Sequence, residues 1–255
     1  MPEETRLCEL SVRQPGEELS LAERIPLSLW FAMTYPFVLT VIYFIFMNGR
    51  DTGIQNTVFS SLKLIQFAFP AVFVFLVCRE SIELPVWKKP AMRLGVVFGI
   101  LILVAALGLY FGLLKGTAPY MHLKSKVLGK VEGFGLASAG AYAAFAIFYS
   151  VIHSGMEEYY WRWFVYKRLT RTISDSLAII ISSLGFMAHH VVIMVVFFGL
   201  TSPLAYSFSL GVAVGGGVWA WLYGRSGNFV AVWGSHAIVD MALFIIGYDL
   251  IFNDL

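Results

Sequence analysis

Seven ionisable side chains lie within otherwise apolar stretches in the second half of the chain. They are His153, Glu157, Glu158, His189, His190, His236 and Asp240. A charged side chain at the centre of a bilayer costs about 2.5–3.5 kcal/mol even on lenient insertion scales, so acids in such stretches need partners or a function. Carboxylates and imidazoles that meet in a dry site can hydrolyse a bond, either by general base catalysis on water or around a bound metal.

The stretches that hold these residues have the composition of an integral membrane protein. The chain of 255 residues is 58% hydrophobic and 13% charged, with a mean hydropathy of +0.75, which excludes a soluble domain of this length. Seven stretches approach the roughly 20 residues that a helix needs to cross hydrocarbon, namely 25–47, 57–78, 93–114, 136–166, 175–199, 203–223 and 228–250. A further short helix is expected between 115 and 133. The sequence therefore predicts an all-α, polytopic transmembrane bundle of seven to eight helices.

The polar segments indicate how the chain is arranged across the membrane. Residues 1–24 are rich in acids and predict a soluble cytoplasmic tail. Residues 25–255 predict a single transmembrane domain, with the motif-bearing catalytic half at about 136–250. Lysine and arginine number twelve on the side of the amino terminus and five on the other side, which favours a cytoplasmic amino terminus. Four of the five lie at 115–130 and run against this rule.

Composition and motifs also exclude several functions. The net charge of +2 is too small and too dispersed to indicate binding of nucleic acid. The two cysteines, Cys8 and Cys78, are far apart in sequence, so we expect neither a disulfide nor thiol catalysis. The chain lacks the His-Glu-x-x-His motif of a zincin-type protease, and Asp249 provides only half of an aspartyl pair.

Helix geometry brings three of the ionisable side chains to a similar depth. At about 1.5 Å per residue, Glu157, His190 and His236 lie roughly 15, 21 and 12 Å from the cytoplasmic ends of their spans. Adjacent Glu157 and Glu158 point about 100° apart, which implies different roles. Side chains four residues apart share a helix face, so we expect Glu158 to pair with Arg162 while Glu157 faces the cavity.

Three motifs follow one another in this half of the chain. They are Glu157-Glu158-x-x-x-Arg162, Phe186-x-x-x-His190 and His236-x-x-x-Asp240. In this order and spacing they resemble the CPBP (Abi) family of intramembrane proteases, relatives of the Ras-converting CAAX endoprotease. The resemblance covers about residues 155–240. It implies a helical membrane protease, which we expect in the cytoplasmic membrane of a bacterium.

The resemblance also implies a role for each motif residue. It assigns four catalytic positions, Glu157, His190, His236 and Asp240, and two supporting positions, Glu158 and Arg162. Glu157 is expected to be the general base that activates water, with His190 as its partner in that step. His236 and Asp240 are expected to stabilise the oxyanion, a role that their shared helix face also suits.

Two departures from the family pattern bear on these roles. His189 duplicates the motif histidine, so the choice of His190 rests on its spacing of four residues from Phe186. For His189, as for His153, the simpler interpretation is a packed, hydrogen-bonded residue of the helix core. The third motif of the family often ends in Asn, whereas an ionised Asp240 can accept but not donate a hydrogen bond. Asp240 is therefore expected to act on the oxyanion either when protonated or through the neighbouring motif histidine.

The resemblance leaves the catalytic type open between a glutamic protease and a metalloprotease. We favour a metal-free, glutamic-type mechanism without a cofactor, because the family pattern assigns its second Glu and its Arg to no ligand. Zinc is a conceivable cofactor, and its ligands would be Glu157, His190, His236 and Asp240.

The sequence therefore predicts an intramembrane endopeptidase that hydrolyses a peptide bond of a membrane-associated protein or peptide by Glu-activated water. Its expected partners are that substrate and the lipid bilayer, with no nucleic acid. Family relatives process prenylated carboxy-terminal tails, bacteriocin leader peptides or carboxy-terminal sorting anchors, and nothing in the sequence chooses among these. Two other classes stay open: a non-catalytic immunity or scaffold protein that binds a peptide in the same cavity, and a proton-coupled transporter that uses the His and Glu side chains.

Overall fold

The computed structural model of the chain describes residues 25–81 and 87–253. These residues form eight helices and no strand. In chain order the helices are α1 (Leu27–Phe46), α2 (Thr52–Val77), α3 (Lys89–Leu114), α4 (Ala118–Gly133), α5 (139–169), α6 (Asp175–Phe198), α7 (Pro203–Ser226) and α8 (Phe229–Phe252). The all-α bundle of seven to eight helices is confirmed, and the predicted tail at 1–24 lies outside the described residues.

Six of these helices are long and apolar enough to cross a membrane, namely α1, α2, α3, α6, α7 and α8. They make the chain an integral membrane protein and correspond to six of the seven predicted spans. The remaining prediction, 136–166, corresponds to α5, which is not one regular helix. Its α-helical stretches Ala139–Ile147, Ser154–Glu158 and Lys167–Leu169 alternate with the π-helical turns Phe148–His153 and Tyr159–Tyr166. Helix α4 is the additional short helix that the sequence predicts between the third and fourth spans.

Polar caps and a glycine set where several helices begin. The side chains of Asp51, Thr117, Ser138 and Asn228 accept hydrogen bonds from the first turns of α2, α4, α5 and α8. Such caps satisfy N–H groups that a helix start leaves without a partner. Gly227, between α7 and the cap residue Asn228, has a φ of +63°, a left-handed conformation that favours glycine. Asn228 also donates to the carbonyl of Lys88 at 3.2 Å, which ties the start of α8 to the start of α3.

The chain folds into two compact units. Of the described residues, the first unit comprises 25–81, Tyr160–Ile193 and Ser209–Gly224, and the second unit comprises 87–159, Met194–Phe208 and 225–253. Helix α5 contributes to both units, because the boundary falls between Tyr159 and Tyr160. The single transmembrane domain at 25–255 and its catalytic half at 136–250 stay predictions.

In the second unit α3 packs closely against α8. A Cβ atom at Gly95 would lie 2.4 Å from the carbonyl oxygen of Ala231, and one at Gly99 would lie 2.9 Å from the carbonyl oxygen of Ser235. Because no side chain larger than hydrogen fits these distances, glycine lets the two backbones approach. Ser235 directly precedes His236, so the same packing positions the site residues of α8.

The carboxy-terminal end of α8 is tied to α3 by Asp249. Its carboxylate accepts hydrogen bonds from Tyr110 Oη at 2.6 Å, Lys115 Nζ at 2.9 Å and Asn253 Nδ2 at 3.0 Å. The Tyr110 ring also packs with Tyr120 of α4. An acid near the end of a membrane helix is thus compensated by a cation and two further donors.

In the first unit the second half of α5 packs against α1 and α2. Tyr160 Oη donates to the carbonyl of Ala32 in α1 at 2.7 Å, and the Tyr160 ring meets Phe67 of α2 edge-on. Cys78, directly after α2, is disulfide-bonded. The prediction of no disulfide is therefore wrong, because separation along the sequence does not keep two thiols apart once the chain has folded.

Candidate active site

Two helices of the second unit place three acids around one histidine. The α-helical stretch Ser154–Glu158 of α5 carries Glu157 and Glu158, and α8 carries His236 and Asp240. Glu157, Glu158 and His236 are only 4, 0 and 4% exposed. Buried ionisable groups are tolerated when they pair with one another, so these side chains form one polar cluster within an apolar unit.

His236 lies at the centre of this cluster. Its Nδ1 atom is 2.7 Å from Glu158 Oε1, and because a carboxylate can only accept, Nδ1–H is the donor. Its Nε2 atom lies 3.7 Å from Glu157 Oε2 and 3.5 Å from Asp240 Oδ1. These two distances are too long for good hydrogen bonds. Glu158 therefore fixes the ring and its tautomer, while Nε2 faces the other two carboxylates.

A tryptophan on α8 holds α5 just before the two glutamates. Trp233 Nε1 donates to the carbonyl of Val151 at 2.7 Å. That carbonyl lies in the π-helical turn Phe148–His153, where the regular helix ladder is interrupted. A Cβ atom at Gly155 would lie 2.9 Å from Trp233 Nε1, so only glycine lets the indole lie this close. Glu157 follows Gly155 by two residues, and its position depends on this contact.

In the first unit Arg162 is buried between two aromatic rings. Its guanidinium carbon lies 4.7 Å from the Phe186 ring centre and 5.2 Å from that of Trp219. Its Nη2 atom donates to the carbonyl of Gly216 at 3.1 Å. A Cβ atom at Gly216 would lie 3.3 Å from Nη2, so the glycine makes room for the guanidinium. Stacking on aromatic rings and a carbonyl acceptor are the contacts that a buried arginine requires.

The histidine pair of α6 also lies in the first unit. His190 Nδ1 is 2.9 Å from the carbonyl of Phe186, four residues earlier, so Nδ1–H donates and Nε2 is left as an acceptor. This contact gives the Phe-x-x-x-His spacing a physical meaning, since the motif fixes the tautomer of its histidine. His189 is buried and stacks on Trp161 with ring centres 6.0 Å apart and an interplanar angle of 5°.

The predicted site residues thus fall into two groups. The second unit brings together Glu157, Glu158, His236 and Asp240. The first unit holds Arg162 and His190. The expected pairing of Glu158 with Arg162 and the joint action of Glu157 with His190 stay predictions.

Sequence reasoning missed two contacts of the site. The bond between Glu158 and His236 has no signal in the sequence, because either of two adjacent acids could turn toward α8. The contact of Trp233 with α5 has a weak signal, since Trp233 lies three residues before His236 and on the same helix face.

Two pairs of donor atoms in the second unit have separations that suit zinc ligands, His236 with Glu157 and His236 with Asp240. Zinc binds nitrogen and oxygen ligands at about 2.0–2.2 Å, which places neighbouring ligand atoms of a tetrahedron roughly 3.4 Å apart. The separations of 3.5 and 3.7 Å from His236 Nε2 to the carboxylates of Asp240 and Glu157 are close to this value. A zinc-bound histidine also commonly donates its other N–H to a carboxylate, as His236 does to Glu158.

Comparison with protein families finds a match to part of the chain. Residues 139–242 match the family described as type II CAAX prenyl endopeptidase Rce1-like. This region is similar to the Rce1-like CAAX protease family. The Rce1-like region begins with α5 and ends two residues beyond Asp240, so it includes every predicted site residue. The CPBP resemblance is confirmed, and the family match together with six apolar helices supports an intramembrane endopeptidase. No curated protein and no solved structure matches the chain.

Proposed function

We propose that this protein cleaves a peptide bond of a membrane-associated substrate with a water molecule that Glu157 activates, and that it needs no metal. One observation carries the proposal. The buried Glu157 carboxylate lies 3.7 Å from Nε2 of a histidine whose other nitrogen is held by Glu158. A base and a donor that face each other in a dry site are the two groups that hydrolysis of a carbonyl compound requires.

The proposed reaction has two proton transfers. Glu157 takes a proton from water while the resulting hydroxide attacks the peptide carbonyl carbon. In its protonated form, His236 donates Nε2–H to the oxyanion that develops, and Glu158 stabilises the positive ring through Nδ1. Protonated Glu157 then gives its proton to the amine that leaves as the carbon–nitrogen bond breaks, which restores both groups.

Asp240 and His190 have assisting roles in this proposal. Asp240 lies 3.5 Å from His236 Nε2, which supports action through the histidine rather than direct contact with the oxyanion. For His190 the role as partner of Glu157 rests on the family motif. Its tautomer suits that role, because a neutral imidazole whose Nδ1–H binds the Phe186 carbonyl carries the lone pair on Nε2, which can accept a proton.

The metal-free mechanism has its own test, because zinc is a conceivable cofactor for these residue types. If zinc binds, Glu157, His236 and Asp240 would hold it with His190, and the ion would polarise water and the substrate carbonyl. The measurement is cleavage after exhaustive chelation and removal of the chelator. Undiminished cleavage supports the metal-free reaction, whereas loss of cleavage that zinc restores contradicts it.

The substrate is proposed to be a peptide anchored in the membrane, and the family's description makes a prenylated carboxy-terminal peptide the first one to test. The protein is reconstituted in liposomes with this peptide, its unprenylated counterpart and a panel of membrane-inserted peptides, and products are identified by mass spectrometry. Glu157→Ala and His190→Ala should abolish cleavage. Glu132→Gln, an exposed acid of α4, is the matched control and should cleave normally. Normal cleavage by the folded Glu157→Ala variant would contradict the proposal.

We also propose that the amino terminus is cytoplasmic and that the membrane is the bacterial cytoplasmic membrane. The excess of lysine and arginine on the side of the amino terminus supports this orientation. Reporter fusions after α1 and after α2 test it. An active cytoplasmic reporter after α1 would contradict the orientation.

A further inference from the structure

A small basic cavity lies in the first unit, apart from the residues assigned to catalysis. It measures about 40 Å³ and is lined by Val74, Glu80, Ser81, Trp163, Lys167, Arg168 and Arg171. By volume it holds a few water molecules or one small anionic group, and it is too small for a peptide. Its walls carry three basic side chains against one acid. The cavity therefore has a net positive charge.

The single acid of the cavity is bound by two guanidinium groups. Arg171 contacts Glu80 with both terminal nitrogens, at 2.9 and 3.2 Å, and Arg168 Nη2 lies 2.9 Å from Glu80 Oε1. Burial opposes ionisation of Glu80, but the hydrogen bond from Arg171 and the charge of Arg168 outweigh it and hold the pKa of Glu80 below its ordinary value. Forked guanidinium groups bind carboxylates and phosphates in the same geometry. Glu80 thus occupies a position that suits an oxyanion of a ligand.

The backbone before Glu80 is turned to bring this acid into the cavity. Arg79 has a φ of +55°, a left-handed conformation that is unusual for a residue other than glycine. The N–H of Glu80 then donates to the carbonyl of Val74 at 3.0 Å, which closes the end of α2. Such backbone conformations persist where the surrounding contacts hold them, as the two arginines do here.

The surface beside the cavity is apolar and exposed. On α2 the side chains of Val72, Leu76 and Val77 are 47, 70 and 38% exposed. In a membrane helix such side chains face lipid tails. Trp163 lines the cavity and packs against Phe75. Tryptophan side chains are enriched at the boundary between lipid headgroups and acyl chains. A ligand that combines an anionic group with an apolar chain fits both surfaces at once.

We propose that this cavity binds the phosphate of an anionic phospholipid headgroup, with the acyl chains along the exposed apolar side of α2. Glu80 competes with the lipid phosphate for Arg168 and Arg171 and occupies them when no lipid is bound. The predicted orientation places the cavity on the cytoplasmic side, where anionic lipids and basic side chains attract each other. The site concerns lipid binding by the first unit and does not depend on the proposed reaction.

The test is native mass spectrometry of the full chain in detergent with phosphatidylglycerol, phosphatidylcholine or inorganic phosphate. We expect one molecule of phosphatidylglycerol to be retained with an affinity about tenfold above that of phosphatidylcholine. Lys167→Gln should lower the phosphatidylglycerol affinity about fivefold without breaking the bonds between Glu80 and the arginines. Glu80→Gln should raise it, because the competing carboxylate is removed. Equal retention of both lipids by the wild type would overturn the site.

The variants separate lipid binding from a structural brace. Arg171→Gln removes both a cavity cation and the bond to Glu80, so it should weaken lipid binding and lower the unfolding temperature. Lys126→Gln, an exposed lysine of α4 in the second unit, makes the same charge change and should alter neither. If both Lys167→Gln and Arg171→Gln bind phosphatidylglycerol with wild-type affinity, the basic residues of the cavity only stabilise the fold, and the proposal is wrong. If inorganic phosphate binds as tightly as phosphatidylglycerol, the proposal that the cavity binds a lipid is wrong.

Discussion

Replacing Glu158 with glutamine tests how the site holds its histidine. Glu158 is fully buried and accepts from His236 Nδ1–H at 2.7 Å. Glutamine has nearly the same shape, and its carbonyl oxygen can still accept this hydrogen bond. The substitution therefore removes the negative charge behind the ring and leaves the contact in place.

The size of the effect follows from the difference between a charged and a neutral acceptor. A hydrogen bond to a charged group contributes about 1.5–3 kcal/mol, against about 0.5–1.5 kcal/mol for a neutral one. The loss of about 1–2 kcal/mol applies to the transition state, in which the ring must carry positive charge, and corresponds to a fall in kcat of roughly five- to thirtyfold. The free energy of unfolding should change little or rise, because a neutral amide is easier to bury than a carboxylate.

The assay is the initial rate of peptide cleavage in liposomes, with thermal unfolding of the same preparations. We expect a lower kcat for Glu158→Gln at unchanged KM and unchanged or raised unfolding temperature, a combination that loss of structure would not give. Glu132→Gln on α4 makes the same chemical change at an exposed position and should leave both quantities at wild-type values. A Glu158→Gln rate within twofold of wild type would refute the role of the charge. A loss beyond a thousandfold would instead make Glu158 the general base.

Two further predictions concern stability. Gly95→Ala should lower the unfolding temperature, because the new Cβ atom would lie 2.4 Å from the Ala231 carbonyl oxygen. Gly108→Ala in the same helix has open space around the new Cβ atom and should be neutral or stabilising. Equal changes in unfolding temperature for the two variants would refute the close packing of α3 and α8. Because the pKa of Glu80 is lowered in the folded chain, its contribution to stability is present above the ordinary carboxyl pKa of about 4.3 and is lost as pH falls through the folded value. In lipid-free detergent the difference in unfolding temperature between wild type and Glu80→Gln should therefore shrink on acidification, and a constant difference from neutral to acid pH would contradict this.

The sequence was informative where a contact follows from helix periodicity. The spacing of four residues correctly predicts that Asp240 and His236 share a face of α8, since their side chains lie 3.5 Å apart. The same spacing explains why the Phe186 carbonyl can bind the ring of His190. Apolar length likewise located the six helices that can cross a membrane.

The sequence was uninformative where a contact depends on an irregular helix. The π-helical turns Phe148–His153 and Tyr159–Tyr166 flank the two glutamates, and each replaces the regular ladder with a wider one that changes the direction of the side chains. Periodicity assumes a regular helix, so it could not show that Glu158 meets His236. The close packing of α3 had a usable signal, because Gly95 and Gly99 have the four-residue spacing of small residues that favours close helix contact.

The most direct test of the central claim is the single-turnover rate of cleavage by Glu157→Gln, measured in liposomes at equal amounts of folded protein. Glutamine retains the shape of Glu157 but cannot take a proton from water, and loss of a general base lowers a rate by about a hundredfold to ten-thousandfold. We predict a fall of at least about a hundredfold with an unfolding temperature no lower than that of the wild type. Cleavage by folded Glu157→Gln at a rate within about threefold of wild type would contradict the assignment of Glu157 as the base.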